Sequence, residues 1–170
     1  IEKVDELFAA VGTRSANDDL MGDIFEYLLS EIKTSGKNGQ FRTPRHIIRF
    51  MIELLDPQPG KRMIDPSAGT GGFLTNAIQH LLKQATDADT LLLEWDGTPH
   101  RAAGEQLDRQ QYLDSTYFTG YDNDRTMVRI GWMNMVLRGI DRPRFGLCDT
   151  LGESLPADER GRYAYAFANP

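Results

Sequence analysis

One cysteine, Cys148, stands in 170 residues, which excludes a disulfide framework and a cysteine-based metal site. The three histidines, His46, His80 and His100, are scattered without ligand spacing, so each reads as a surface or packing residue, with no metal expected. No apolar run approaches the roughly 20 residues of a membrane-spanning helix, and the N-terminus lacks a signal-peptide pattern. A soluble, cytoplasmic, reducing setting is expected, with no membrane partner. Cationic residues are also short, because 19 Lys and Arg against 25 Asp and Glu leave a net charge of −6. Phosphate contacts need a cationic face, so this chain is not expected to grip nucleic acid alone; if it acts on DNA, a partner supplies most of the hold. Internal repeats and low-complexity tracts are absent as well.

What is present is ordinary globular composition, 40% apolar and 26% charged, long enough for one domain with a real core. In "DDLMGDIFEYLLSEIK", residues 18–33, Leu20, Ile24, Tyr27 and Leu28 recur at helical spacing behind Asn17 or Asp18 as a cap. Residues 1–38 are therefore read as an N-terminal helical segment closed by the loop "TSGKNG". A second helix starts with Pro44 at its first position and runs to Leu55, and "DPQPG" ends it. Then "RMID" reads as a strand, "PSAGTGG" as a glycine turn, and residues 73–85 as a helix, the opening of a nucleotide-binding α/β unit. Residues 86–115 are polar and read as a partly helical insertion. Two further strands, residues 117–122 and 144–149, flank the helix "DRTMVRIGWMNMVLRGI", which shows a wide apolar face. The aromatic run at residues 163–168 reads as a fourth, buried strand. Such alternation implies an α/β fold, a parallel sheet with helices on both faces.

Four strands thus end in "DPSAGTGG", "GYDND", "LCDTL" and "ANP", and ligands bind at that edge of open α/β sheets. Gly69, Gly71 and Gly72 let backbone approach a ligand and free N–H groups at a helix start. Asp65 can accept from loop amides or attract a cation. Asp122 suits acceptance from two ribose hydroxyls, and Asp149 from a purine amine. The loop lacks the G-x-G-x-x-G spacing of a dinucleotide site. An acid at its mouth repels a pyrophosphate but tolerates an ammonium or sulfonium, which points to S-adenosylmethionine.

The ordered series "GQFRTP", "DPSAGTGGF", "GYDND", "CDTL" and "ANP", with "DLMGDIFEYLLSEIK" and "LLDPQPG" around it, resembles the N6-adenine DNA methyltransferases, specifically the modification subunit of type I restriction-modification systems. The resemblance covers nearly the whole chain from Asp18 onward. It implies a Rossmann-like class I S-adenosylmethionine-dependent methyltransferase fold, with residues 39–170 forming the cofactor-binding domain. By the same resemblance Gln40, Phe41, Thr43 and Pro44 pack on the methionine part of the cofactor. Asp65, Ser67, Gly69, Thr70 and Gly71 hold its amino-acid end, Asp122 its ribose, and Asp149 faces its adenine. Asn169 and Pro170 match the first half of the catalytic Asn-Pro-Pro-Phe motif, in which the Asn oxygen accepts from N6 of a flipped adenine. Cys148 stands where the family commonly has glycine.

The implied partners are DNA, a specificity subunit and a restriction subunit. A chain ending inside the motif is expected to bind cofactor without methylating, and the family strand order 3-2-1-4-5-7-6 would leave the fourth strand's edge open to self-association. Two alternatives stand beside this reading. One is another Asn-Pro-Pro-Tyr-type N-methyltransferase, such as a stand-alone type II adenine enzyme; the other is a non-catalytic nucleotide-binding interaction module.

Overall fold

The computed structural model describes residues 43–85, 91–93, 99–101, 113–152 and 155–170. All of them lie in the compact unit Gly39–Pro170. The expected helix over residues 18–33 and the candidates Gln40 and Phe41 fall outside the described residues.

Helix α1 spans Arg45–Leu55, with Pro44 just ahead of it as the cap instead of its first residue. Proline has no N–H to leave orphaned, and its carbonyl accepts from Ile47 N at 2.9 Å and Ile48 N at 3.1 Å. The helix stops at Asp56, which turns left-handed at φ 43° and donates its N–H to Ile52 O. The Asp56 carboxylate then receives Gln84 and pairs with His80 at 3.0 Å, tying the end of α1 to helix α2, Gly72–Ala85. His80 is thus the packing residue its isolation in sequence suggested.

Strand β1, Met63–Asp65, is buried along its whole length. Within the stretch read as a partly helical insertion, β2 (Leu91–Leu93) and β3 (Pro99–Arg101) form an antiparallel hairpin. Strand β4, Phe118–Asp122, starts one residue later than expected, because Asp114 accepts from Thr116 N and winds Ser115–Tyr117 into a single 3-10 turn. Helix α3, Arg125–Leu137, is capped by Asp124, whose side chain accepts from Thr126 N. Strand β5 is Arg144–Leu147, stopping before Cys148, and β6 is only Tyr165–Ala166.

Four of these strands form one parallel sheet in the order β5-β4-β1-β6. Counted along the main strands this is 3-2-1-4, the order the resemblance implied. Among the described residues the helices do not cover both faces as expected. The crossovers β1-α2-β4 and β4-α3-β5 step the same way across the sheet, so right-handed connections place both helices on one face, and α1 joins the same core. Met63, Leu74, Ile78, Leu81, Phe118 and Phe167 are among its most buried members. The opposite face carries Ile64, Thr119 and Arg144 in one register row.

Two further expectations are corrected by this layering. The fourth strand is not buried: Ala164, Ala166 and Ala168 are exposed while Phe167 is covered, because β6 pairs only with β1 and packs on one side. Nor does α3 bury a wide apolar face, since Trp132, Met133 and Val136 are exposed. Its contact is a narrow stripe at Met127, Gly131, Asn134 and Met135. Gly131 fixes that approach. A Cβ on Gly120 would stand 2.5 Å from Phe145 Cε2, and one on Gly131 would come closer still. The Phe145 ring therefore occupies a slot that only glycines leave open.

Candidate functional site

The chain steps from β1 to β4 and β5, then returns across the sheet to β6, so the sheet reverses its winding between β1 and β6. The crevice beyond the carboxyl ends of these strands is where such sheets receive ligands. Residues 66–71 leave β1 there, and neighbouring strand ends hold them by their backbone. Ala68 N donates to Tyr121 O at 2.8 Å, and Gly69 N donates to Asp122 Oδ2 at 2.8 Å. Thr150 Oγ1, just past β5, donates to Pro66 O, and Asn134 Nδ2 of α3 donates to Thr70 O, both at 2.8 Å. Every tie reaches backbone, so the loop's shape is set by the sheet and α3.

Two glycines in the loop have left-handed backbones, Gly69 at φ 54° and Gly71 at φ 83°. They differ in surroundings. A Cβ on Gly71 would meet Phe145 at 3.4 Å, whereas one on Gly69 would meet nothing within 4 Å. Backbone conformation calls for glycine at both; a side chain at 71 would make ordinary contact with Phe145, whereas Gly69 faces open space, as a ligand-approaching position must. Ser67 Oγ is buried without a hydrogen-bond partner among the described residues, a polar atom whose desolvation is left uncompensated.

Asp65 is 1% exposed and accepts from Ser67 N at 3.1 Å. Burial pushes its carboxyl up to about 7, the nearby charge of Asp122 adds to the rise, and the Ser67 amide opposes it. Asp122 is half-buried, with Oδ1 accepting from Asp124 N and Oδ2 from Gly69 N, each at 2.8 Å. An ionised carboxylate has about four acceptor positions, so both oxygens retain capacity for hydroxyl donors. Asp149 is exposed and turns back on its own loop, Oδ1 accepting from Leu151 N and Gly152 N at 3.2 Å. Asn169, beyond the end of β6, donates through Nδ2 to Thr43 Oγ1 at 2.8 Å. Pro44 and Pro170 are exposed.

Asp65, Ser67, Gly69, Thr70, Gly71 and Asp122 therefore form one hydrogen-bonded group at the reversal point, and Asp149 borders it through its neighbour Thr150. Asn169 and Thr43 form a separate pair. Sequence reasoning missed Asn134, Phe145 and the role of Thr150. Asn134 left one signal, a lone amide inside the apolar run "WMNMVL".

The profile of the family described as N-6 DNA Methylase matches residues 16–170. The chain belongs to this family. Among N-6 DNA methylases, it is 32% identical over 143 residues to the EcoKI methylase subunit of a type I restriction enzyme from Escherichia coli, a match spanning 83% of this chain and 24% of that one. The Escherichia coli EcoEI methylase subunit is 42% identical over 76 residues, covering 42% of this chain and 16% of that protein. The crystal structure of the EcoKI M protein superposes with a TM-score of 0.57 at 28% identity, over 78% of this chain and 25% of that one. A type I methyltransferase subunit from Streptococcus thermophilus shares the fold at TM-score 0.64, 23% identity, over 94% of this chain and 29% of its own. The chain thus spans less than a third of each of these relatives. The sheet is that of class I methyltransferases, and a methyltransferase family implies S-adenosylmethionine as methyl donor in general. The site suits that group: two acids and an unpartnered buried hydroxyl stand beside a glycine loop with open space over Gly69.

Proposed function

We propose that this chain is the cofactor-binding part of a site-specific adenine-N6 DNA methyltransferase, the modification subunit of a type I restriction-modification system. The observation that carries the reading is the junction of Gly69 N with the Asp122 carboxylate at the reversal point of the sheet, because it places a ribose acceptor against the loop that receives the amino-acid end. Asp65 and Ser67, beside the turn of Gly69, Thr70 and Gly71, take the amino-acid end: Gly69 N is held by Asp122 and Gly71 N by Ala68 O, and among the described residues the Ser67 hydroxyl is the unpartnered polar group there. Asp122 accepts from the ribose hydroxyls and Asp149 from the adenine amine. Gln40, Phe41, Thr43 and Pro44 flank the methionine part. When bound, S-adenosylmethionine supplies an electrophilic methyl group. Asn169 Oδ1 accepts from the N6 amine of an adenine taken out of the duplex, which orients the nitrogen lone pair, and Pro170 borders the base. Positioning of this kind supplies much of the rate in a transfer step.

DNA, a specificity subunit and a restriction subunit are the partners of this reading, in the cytoplasm. The net charge of −6 supports it, since the grip on phosphate must come from elsewhere. The outer edge of β6, unpaired among the described residues, supports self-association when no partner covers it.

Calorimetric titration with S-adenosylmethionine tests the site. The wild-type chain is expected to bind, and Asp122→Ala to lose binding by about 100-fold, the effect of removing a charged acceptor of two hydroxyls. Equal affinity in the variant, or binding of NAD in place of S-adenosylmethionine, would overturn the proposal and favour a nucleotide-binding module without methyl transfer.

A further inference from the structure

The functional reading gives Thr43 and Asn169 separate tasks, one beside the cofactor's methionine part and one at the target base. Their side chains are nevertheless joined, Asn169 Nδ2 donating to Thr43 Oγ1 at 2.8 Å. Resting on that reading, we propose that Thr43 is a positioning residue for Asn169, holding the amide with its nitrogen engaged and Oδ1 left as acceptor for the amine of the target base.

Three observations carry this. Firstly, the backbone leading to Asn169 is already fixed. Phe167 is 1% exposed, its N–H donates to Ile64 O at 2.9 Å, and its ring stacks on Phe73 with centroids 5.6 Å apart. The remaining freedom lies in the exposed Asn169 side chain, and Thr43 is the residue that restrains it. Secondly, Thr43 itself stands on a stiff support. Pro44 follows it with φ −56°, and α1 begins at once. Thirdly, α1 packs on the first residue of α2, which directly follows the cofactor loop: a Cβ on Gly72 would lie only 3.2 Å from Ile48 Cδ1. A ligand seated on the loop and the Asn169 amide therefore bear on the two ends of one short rigid path, Gly72 to Ile48 to Thr43.

The chemistry makes the orientation matter. An amide presents two donors on nitrogen and an acceptor on oxygen. Turned the wrong way, it would aim donors at an amine that also donates. Serine keeps the hydroxyl that holds the nitrogen, and valine keeps the shape without it.

The test uses the complete modification subunit assembled with its specificity subunit, with methyl transfer and S-adenosylmethionine affinity measured separately. Thr43→Val is expected to lower kcat about tenfold, the effect of one lost hydrogen bond on a positioned group, while S-adenosylmethionine affinity falls by clearly less than kcat, because valine keeps the packing that Thr43 gives the methionine part. Thr43→Ser is expected to restore most of kcat. In the labelled chain of 170 residues, the Asn169 side-chain amide resonances are expected to move in Thr43→Val and to stay in Thr43→Ser. Unchanged kcat and unmoved resonances in Thr43→Val would overturn the inference, as would a loss of affinity matching the loss of kcat. Wild-type kcat in Asn169→Ala would instead sink the functional reading itself, a result separable from any outcome at Thr43.

Discussion

Asp65 holds its carboxyl in a place that disfavours charge, and that sets a pH dependence. With the group pushed up to about 7 by burial, with Asp122 adding to the rise, a ligand ammonium must wait for ionisation before it gains a counter-charge. Affinity for S-adenosylmethionine is therefore expected to rise between about pH 5 and 7, by at most tenfold per unit, and to level off above. Asp65→Asn should flatten the profile when titrated by calorimetry across that range. The stability of the unliganded chain runs the other way. A raised carboxylate pKa means the folded chain keeps a proton that the unfolded chain releases between the ordinary 3.8 and about 7, so stability falls as pH rises through that window. In sequence Asp65 was visible as the acid at the mouth of a glycine loop. Its burial was not, because that depends on β4 and β6 closing on either side of β1 from far along the chain. Asp122 was likewise legible as a strand-end acid, while its hold on Gly69 N is a contact between segments that only the sheet brings together.

At the scale of elements, the slot around Phe145 decides how closely α3 meets the sheet. Gly131→Ala would force a methyl into the Phe145 ring, and overpacking of this sort costs about 1–3 kcal/mol. Urea denaturation should read that loss. The double variant Gly131→Ala/Phe145→Leu is expected to be less destabilised than the two single effects added, because the smaller side chain yields the space the methyl needs. Neither Gly120 nor Gly131 announced this in sequence, where a glycine inside a strand or helix only weakens the assignment. The apolar letters of α3 misled for a related reason. Trp132, Met133 and Val136 look like core by composition, but a helix seated through a glycine stripe buries only the residues beside that stripe. Strand order, in contrast, was available from the family resemblance, whose order places these four strands as 3-2-1-4, as they stand in the sheet. The pairing of β2 with β3 was not, because each strand is only three residues long and neither Leu91–Leu93 nor Pro99–Arg101 alternates with period two.

At the scale of the whole domain, the sheet face opposite the helices is organised around one carboxylate. Glu159 is 4% exposed and takes hydrogen bonds from Arg144, Tyr121 and Tyr163, drawing the segment between β5 and β6 across the sheet. Burial works to raise its pKa, but the Tyr163 hydroxyl and the Arg144 charge outweigh it and hold the group below the ordinary 4.5. The stability it contributes is thus complete above that value and is lost as pH falls through the lower folded value. Glu159→Gln is expected to cost about 1–3 kcal/mol near neutral pH and to reduce the acid sensitivity of thermal unfolding. Composition could not reveal this anchor, since Glu159 lies in the charged turn "ADER" and reads there as a solvated residue. The pairing of β1 reaches further still. Met63 bonds in register with Phe118 on one side and Tyr165 on the other, so the central strand is the first of the four to leave the ribosome and the last to be flanked. At translation rates of roughly 5–20 residues per second it stays without its second neighbour for on the order of 5–20 seconds. An apolar strand that waits this long for its second neighbour offers an unpaired edge during synthesis, and slowing translation across residues 118–165 would lengthen that wait.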